Sequence, residues 1–497
     1  MLVEQPGKVT EVKSSKNDAR LHLEPVLAPS RKKQPHPFIP HVKKTGLAKM
    51  LIKEALHYNT KLLFKKEYRA ALLSRPCIYG VFDGHLGGFS PRKELCTGCY
   101  RCVQEFPGFC SVERNKAYTS FADSYWSGED PERLSISPIA TINYEAETGK
   151  IPIKGMGYKG SFAGAGWDSM WTDMSEIVRP TRDGVHGREY ISTLVNLGRK
   201  PAYLKIRQGR IINPSKTLTI PLPIIFDHLP SNLNMQSVQE SISETSEQIG
   251  TMFIKRISNP NRELKALRSS LIPLIKYEDF RQTETLDLEG FQAVELDFHP
   301  SWNYEEIKSS YDRLLIIVRV PFEKHEMNTA RAIDLTRRGI DSLHLYANYH
   351  GKQFKSPNSL FIMDLLRRVH LDLIRERMRD EITVIASGGI ILAEHVPKAI
   401  ICGADLVAID TSILVALQCE FKGECSTGET GRVQKENFPI EWGKQRLINL
   451  MASWHDQLIE ILSAMGIRDV RRLRGDAGRA MFNEDLEKEA FADIARG

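Results

Sequence analysis

From Pro221 onward, apolar and polar positions fall into two alternating rhythms. Short unbroken runs rich in Ile, Val, Leu and Phe read as strands, and between them lie longer stretches whose apolar residues recur at helical spacing. The runs are Pro221 to Phe226, Thr251 to Lys255, Leu271 to Ile275, Ala293 to Leu296, Leu314 to Val320, Ser342 to Tyr346, Thr383 to Ala386 and Leu406 to Ile409. Met235 to Ile249, Asn328 to Arg338 and Leu360 to Arg379 carry the helical pattern. Strand and helix alternating over about 190 residues predict an α/β protein built on a (β/α)8 TIM barrel, with a doubly wound sheet as the alternative.

Upstream the rhythm weakens. Residues 1–44 are rich in Lys, Pro and Ser, with RKKQPHPFIPHVKK at their centre, and predict a basic extended arm rather than packed structure. Gly46 to Leu73 has apolar residues at helical spacing, so residues 45–125 divide into a helical lead and a cysteine-rich, ferredoxin-like region. Residues 126–215, with many Gly, Trp and Tyr, read as an adaptor, and 216–497 as the barrel with C-terminal helices.

Composition narrows the class. No apolar run reaches the ~18 residues that span a bilayer, and MLVEQPGKVTEVKSSKND has no signal core, so a cytoplasmic chain with no membrane span is expected. The formal charge is +6, but residues 1–70 hold 15 Lys and Arg against 6 Asp and Glu. That local excess predicts docking on an acidic redox partner or sister subunit. Without interleaved aromatics or a known motif, nucleic acid is not expected, and homo-oligomerisation is left open.

Four of the eight cysteines crowd into ELCTGCYRCVQEFPGFC. Cys96, Cys99 and Cys102 have the C-x2-C-x2-C spacing that wraps three thiolates around one face of a cubane. Phe106, before Pro107, stands where a two-cluster run has the cysteine that ligates its other cluster, so a single [4Fe-4S] cluster is expected. Its fourth ligand is Cys110 or Cys77, with Cys110 preferred. Zinc is the alternative, disfavoured because no second C-x2-C pair completes a tetrahedral set.

Within TVIASGGIILAEHVPKAIICGADLVAID, Gly388 and Gly389 follow one strand and Gly403-Ala404 precede the next. Glycines let backbone amides approach an anion closely, so Ser387, Gly388, Gly389, Gly403 and Ala404 are candidate phosphate binders. A plain βαβ corner is the alternative. Barrel active sites lie at the C-terminal ends of strands, where Lys276, Asp297, His299 and Arg319 fall as candidate catalytic residues. His344, inside a strand, reads as a core histidine.

In this order, ETGKIPIKGMG, PIIFDHLPSNLNMQSVQESISETSEQIGT, YEEIKSSYDRLLIIVRV, SGGI, GADLVAID and HDQLIEILSAMGIRDVRRLRG resemble the FMN-binding barrel of the glutamate synthase family. The form resembled is the ferredoxin-domain-bearing one of archaea and many bacteria. The resemblance implies noncovalent FMN with its phosphate near Gly388, Gly389, Gly403 and Ala404. It also implies that Arg319 takes the place of a lysine beside the flavin. Departures accompany it. IKRISNPNREL and YANYHGKQF replace the family's loops after strands two and six, and Cys419 and Cys425 lack a third cysteine, Thr430 standing in its place. The reading is an iron–sulfur flavoprotein oxidoreductase with an unnamed substrate. A noncatalytic electron relay or scaffold subunit and an ammonia-dependent glutamate synthase are the alternatives.

Overall fold

The computed structural model describes residues 21–43, 77–82, 91–105, 110–127, 134–152, 166–172, 190–212, 215–229, 236–257, 269–283, 288–354, 360–422, 432–433 and 438–482. The expected helix from Gly46 to Leu73 lies outside them, as do Cys425, Thr430, Phe106 and Pro107.

A closed barrel of parallel strands forms the centre: β1 (Ile224–Phe226), β2 (Phe253–Arg256), β3 (Leu271–Ile275), β4 (Ala293–Asp297), β5 (Leu315–Pro321), β6 (Ser342–Tyr346), β7 (Thr383–Ser387) and β8 (Leu406–Ile409). β8 pairs back to β1 through Val407↔Ile224, which closes the ring. These are the runs read from the sequence, and they are continuous because each strand is buried both by the barrel interior and by the helices outside.

Besides two short helices, Arg101–Glu105 and Lys116–Ser120, the described helices are α1 (Ile136–Thr148), α2 (Gln236–Ile249), α3 (Tyr277–Thr283), α4 (Tyr304–Ser310), α5 (His325–Arg337), α6 (Ile362–Arg375), α7 (His395–Ile401), α8 (Thr411–Ala416) and α9 (Ile440–Ala464). In α6 the stripe Ile362, Leu365, Leu366, Val369 and Leu373 is buried on the barrel while Leu371 and Ile374 face outward. α9 lies against α2 and α1.

Two additions fix the ends. The hairpin of Val195–Arg199 with Lys216–Ile220 closes the N-terminal end of the barrel. Its partners span residue 216, so the expected boundary between adaptor and barrel runs through a paired unit. Gly198 sits at φ +126 and a Cβ there would stand 2.3 Å from the carbonyl of Lys216, so no larger residue fits the crossing. Thr383, at the start of β7, donates to the Gly198 carbonyl at 2.7 Å.

The second addition corrects the reading of the arm. Residues 21–43 are extended, but they are built into the molecule. Asn449 of α9 accepts from the Val26 amide and donates to its carbonyl. Gln418 accepts from the amides of Arg31 and Lys32, and the buried Arg446 donates to the Ala28 carbonyl at 2.9 Å. Phe38–Val42 then pairs antiparallel with Cys110–Arg114, and Phe38 is buried among the cysteines. Composition marked this arm as solvated because its side chains are polar. Its anchors are backbone groups held by carboxamides and a guanidinium far along the chain.

Candidate active site and cysteine centre

Side chains alternate along a strand, so an acid inside an apolar run is forced either into the barrel or into its helix layer. Glu295 of β4, Arg319 of β5, His344 of β6 and Ser387 of β7 point inward and meet there. Arg319 donates to both carboxylate oxygens of Asp227, which follows β1, at 2.6 and 3.2 Å, and stands 3.5 Å from Glu295. His344 Nδ1 bonds Glu295, and its Nε2 lies 2.8 Å from the Ser387 hydroxyl. The ring of Tyr346 covers the guanidinium, with Cζ 4.3 Å from the ring centroid.

Burial dominates the electrostatics. It opposes the charge on Asp227, yet the Arg319 cation overrides it and holds that carboxyl well below its usual range. Burial likewise opposes charge on Arg319, and Asp227 and Glu295 together raise it. At Asp410, following β8, Arg319 also favours the charged form but does not prevail. Burial, then the Asp227 charge, pushes its carboxyl up to about 6, while it accepts the Thr411 amide.

Of the expected catalytic residues, Arg319 is in place at the mouth, but as the centre of a neutralised ion cluster rather than a free cation. His344 is the satisfied core histidine expected. Lys276, Asp297 and His299 gather in the adjoining arc. Asp297 accepts from the Tyr277 amide at 2.8 Å and the Trp302 indole at 3.4 Å, and burial raises its carboxyl. The His299 ring stacks on Tyr277 at 3.8 Å. Asp227, Glu295, Tyr346 and Asp410 were missed. The signal for the acids was a carboxylate in or directly after an apolar run: AVEL, IIFD, VAID.

The expected phosphate residues separate. Ser387, Gly388 and Gly389 lie at the C-terminal mouth, whereas Gly403 and Ala404 precede β8 and therefore lie at the opposite rim. There Gly403 packs on His370, with its carbonyl held by Arg379 at 2.7 Å. Glycines on either side of a βαβ helix look alike in one dimension but mark opposite ends of parallel strands. At the mouth, Gly388 and Gly389 have φ of +100 and +70, and a Cβ on Gly389 would meet Gly351 at 2.7 Å. Both they and Ile390 are buried, and among the described residues the amides of Gly389 and Ile390 have no hydrogen-bond partner. Two consecutive unpaired amides that follow left-handed Gly388 fit an anionic oxygen. These residues fit one half of a phosphate site; Asp410 occupies the helix start after β8.

The cysteine region gathers five sulfurs. Cys77, Cys96, Cys102 and Cys110 are buried with Phe38, Val81 and Phe82, and Cys99 is half-buried. Burial pushes the Cys96 thiol up, the Gly98 amide opposes, and the sulfurs of Cys102, Cys77 and Cys99 reinforce it. Cys102 and Cys110 share a hydrogen bond that raises the first and lowers the second. Among the described residues no three sulfurs come within 4.8 Å of one another. Four buried cysteines and a half-buried one, with the Gly98 and Val103 amides turned to sulfur, make a donor set suited to thiolate-bound metal. Both Cys77 and Cys110 are within reach as the fourth ligand.

A family model described as a conserved region in glutamate synthase matches residues 360–468, from α6 through β7 and β8 into the region just past α9. The archaeal-type glutamate synthase (NADPH) of Dehalococcoides mccartyi is 24% identical over 78% of this chain and 86% of that protein. The archaeal glutamate synthase (NADPH) of Archaeoglobus fulgidus is 22% identical over 85% of this chain and 94% of its own. That of Methanocaldococcus jannaschii reaches 37% identity, over 26% of each.

Proposed function

We propose, from the premise that this chain is a glutamate synthase-like oxidoreductase, that it is an iron–sulfur flavoprotein passing electrons between one [4Fe-4S] cluster, FMN and an organic substrate. One observation carries the reading: a single chain holds both a five-cysteine cluster and a barrel mouth where, among the described residues, the amides of Gly389 and Ile390 are unpaired. The cluster would be held by Cys96, Cys99 and Cys102 with Cys110 or Cys77, and the FMN phosphate by the loop after β7. FMN, when bound, exchanges single electrons with a cluster and an electron pair with a substrate. Tyr346, opposite Ser387 in register, and Arg319 against its ring stand next to that loop. The Arg319 guanidinium is fixed by two carboxylates, so it orients and shields rather than supplying net positive charge. Lys276, Asp297 and His299 line the adjoining arc as substrate-orienting groups.

The neutralised Arg319 also favours a second reading, an electron relay without substrate chemistry. An ammonia-dependent glutamate synthase is the third, in line with relatives named glutamate synthase (NADPH). Anaerobic purification with iron and flavin analysis tests the main proposal: about four irons and one FMN per chain are expected. Zinc in place of iron, or no flavin even after reconstitution, would refute it. Turnover of 2-oxoglutarate with ammonia selects the third reading, and reducible cofactors with no metabolite reoxidising the flavin select the relay.

A further inference from the structure

Between Tyr190 and Phe226 the chain has no acidic residue but six cations: Arg199, Lys200, Lys205, Arg207, Arg210 and Lys216. Within this stretch Ile206–Arg207 pairs antiparallel with Arg210–Ile211 around Gln208 and Gly209, whose φ of +51 and +73 suit a two-residue hairpin turn. The hairpin extends from the unit that closes the N-terminal end of the barrel, on the side away from the mouth. Ala202 through Gly209 are exposed, as are Ile211 and Ile212. Large apolar side chains stand in water there: Tyr203 is 66%, Leu204 56%, Ile206 68%, Ile211 50% and Ile212 56% exposed.

Register divides these residues between two faces. Ile206 opposes Ile211, with Leu204 on the same side, while Tyr203, Lys205, Arg207 and Ile212 take the other. Apolar groups therefore project from both faces of a finger that also carries cations. A second copy of this finger would bring like charges together. A flat protein surface would cover one face only. A lipid interface surrounds a shallow finger on both sides, buries its apolar groups among acyl chains and meets its cations with phosphates collectively. Beside the finger's root lies a cavity of about 250 Å³ lined by Lys200, Asn196 and Thr383 among others. Its carboxylates Asp380, Glu381 and Asp405 are each held by an arginine, which leaves Lys200 outside those pairs.

We propose that the hairpin of residues 203–212 is a peripheral docking element that seats the protein on an anionic lipid surface, with the barrel mouth turned toward solvent. The test is flotation of the full chain, cofactors intact, with vesicles of phosphatidylcholine alone or enriched in phosphatidylglycerol. Wild type should partition onto the phosphatidylglycerol vesicles and far less onto phosphatidylcholine. The pairs Ile206→Ser with Ile211→Ser, and Lys205→Glu with Arg207→Glu, should each weaken that partition about tenfold or more. These positions lie outside the core, so circular dichroism and flavin content should be unchanged. Equal partition onto both vesicle types, or no partition of wild type, overturns the proposal. So does partition unaltered by either pair, which would assign binding to the basic arm. Loss of a stoichiometric protein complex in the variants, with no vesicle binding by wild type, would replace lipid by an acidic protein groove.

Discussion

The fork of Arg319 on Asp227 sets the character of the barrel mouth. Arg319→Ala leaves two buried carboxylates without their cation, and the expected cost is about 3 to 5 kcal/mol in urea unfolding. Asp227→Asn combined with it should recover part of that loss, because the second variant removes one of the orphaned charges; strictly additive losses would mean that the pair is not coupled. Asp410 acts in the opposite sense to Asp227. Its folded carboxyl keeps a proton up to about pH 6, against 3.8 for its ordinary value. Between those values the native state binds more proton than the unfolded state, so stability falls as pH rises through that window. The full cost above pH 6 is on the order of 3 kcal/mol. Asp410→Asn keeps an acceptor for the Thr411 amide, and its melting temperature should exceed wild type at pH 7 but not near pH 4. Asp227, with its carboxyl held low, contributes stability above its unfolded value and loses it only as pH falls below that window. At Gly389 the two unpaired amides predict that apoprotein prefers FMN to riboflavin by about 3 kcal/mol or more in equilibrium titration, and that Gly389→Ala erases the preference. Equal affinities would show that the loop holds no phosphate.

At the scale of elements, legibility followed the direction of burial. Leu271 to Ile275 is apolar at every position because both its faces are covered, and its ends were read without error. β1 was read from Pro221, yet the ladder starts at Ile224 because Pro221 and Pro223 have no N–H to give. Gly403 was placed in the wrong site because spacing tells how far residues are along the chain, not which rim of a parallel barrel they reach. The arm was misjudged because Asn449, Gln418 and Arg446 bind its backbone, and side-chain composition does not report backbone bonds. Deleting residues 1–43 removes Phe38 from the cysteine cluster and the partner strand of Cys110–Arg114, so iron content should drop while flavin content stays. Deletion without loss of iron would make the strap dispensable to the cluster.

On the scale of the whole molecule, cysteine region and barrel have separate buried clusters, connected among the described residues by the strap and by the chain that runs from Arg114 to Trp126. Cys99→Ala should therefore empty the iron site and leave the flavin spectrum and barrel melting transition in place; loss of both cofactors together would mean that neither body holds its own. The strap also imposes a chronology. Val26 and Asn449, its bonded partner, are 423 residues apart. At 5 to 20 residues per second that separation is on the order of 20 to 85 s of translation. Pro37 and Asn115, by contrast, are joined within the first quarter of synthesis. On a ribosome the cysteine region can close long before α9 exists to receive the strap, so the nascent chain carries a finished cysteine-rich knob on a loose tether until α9 emerges.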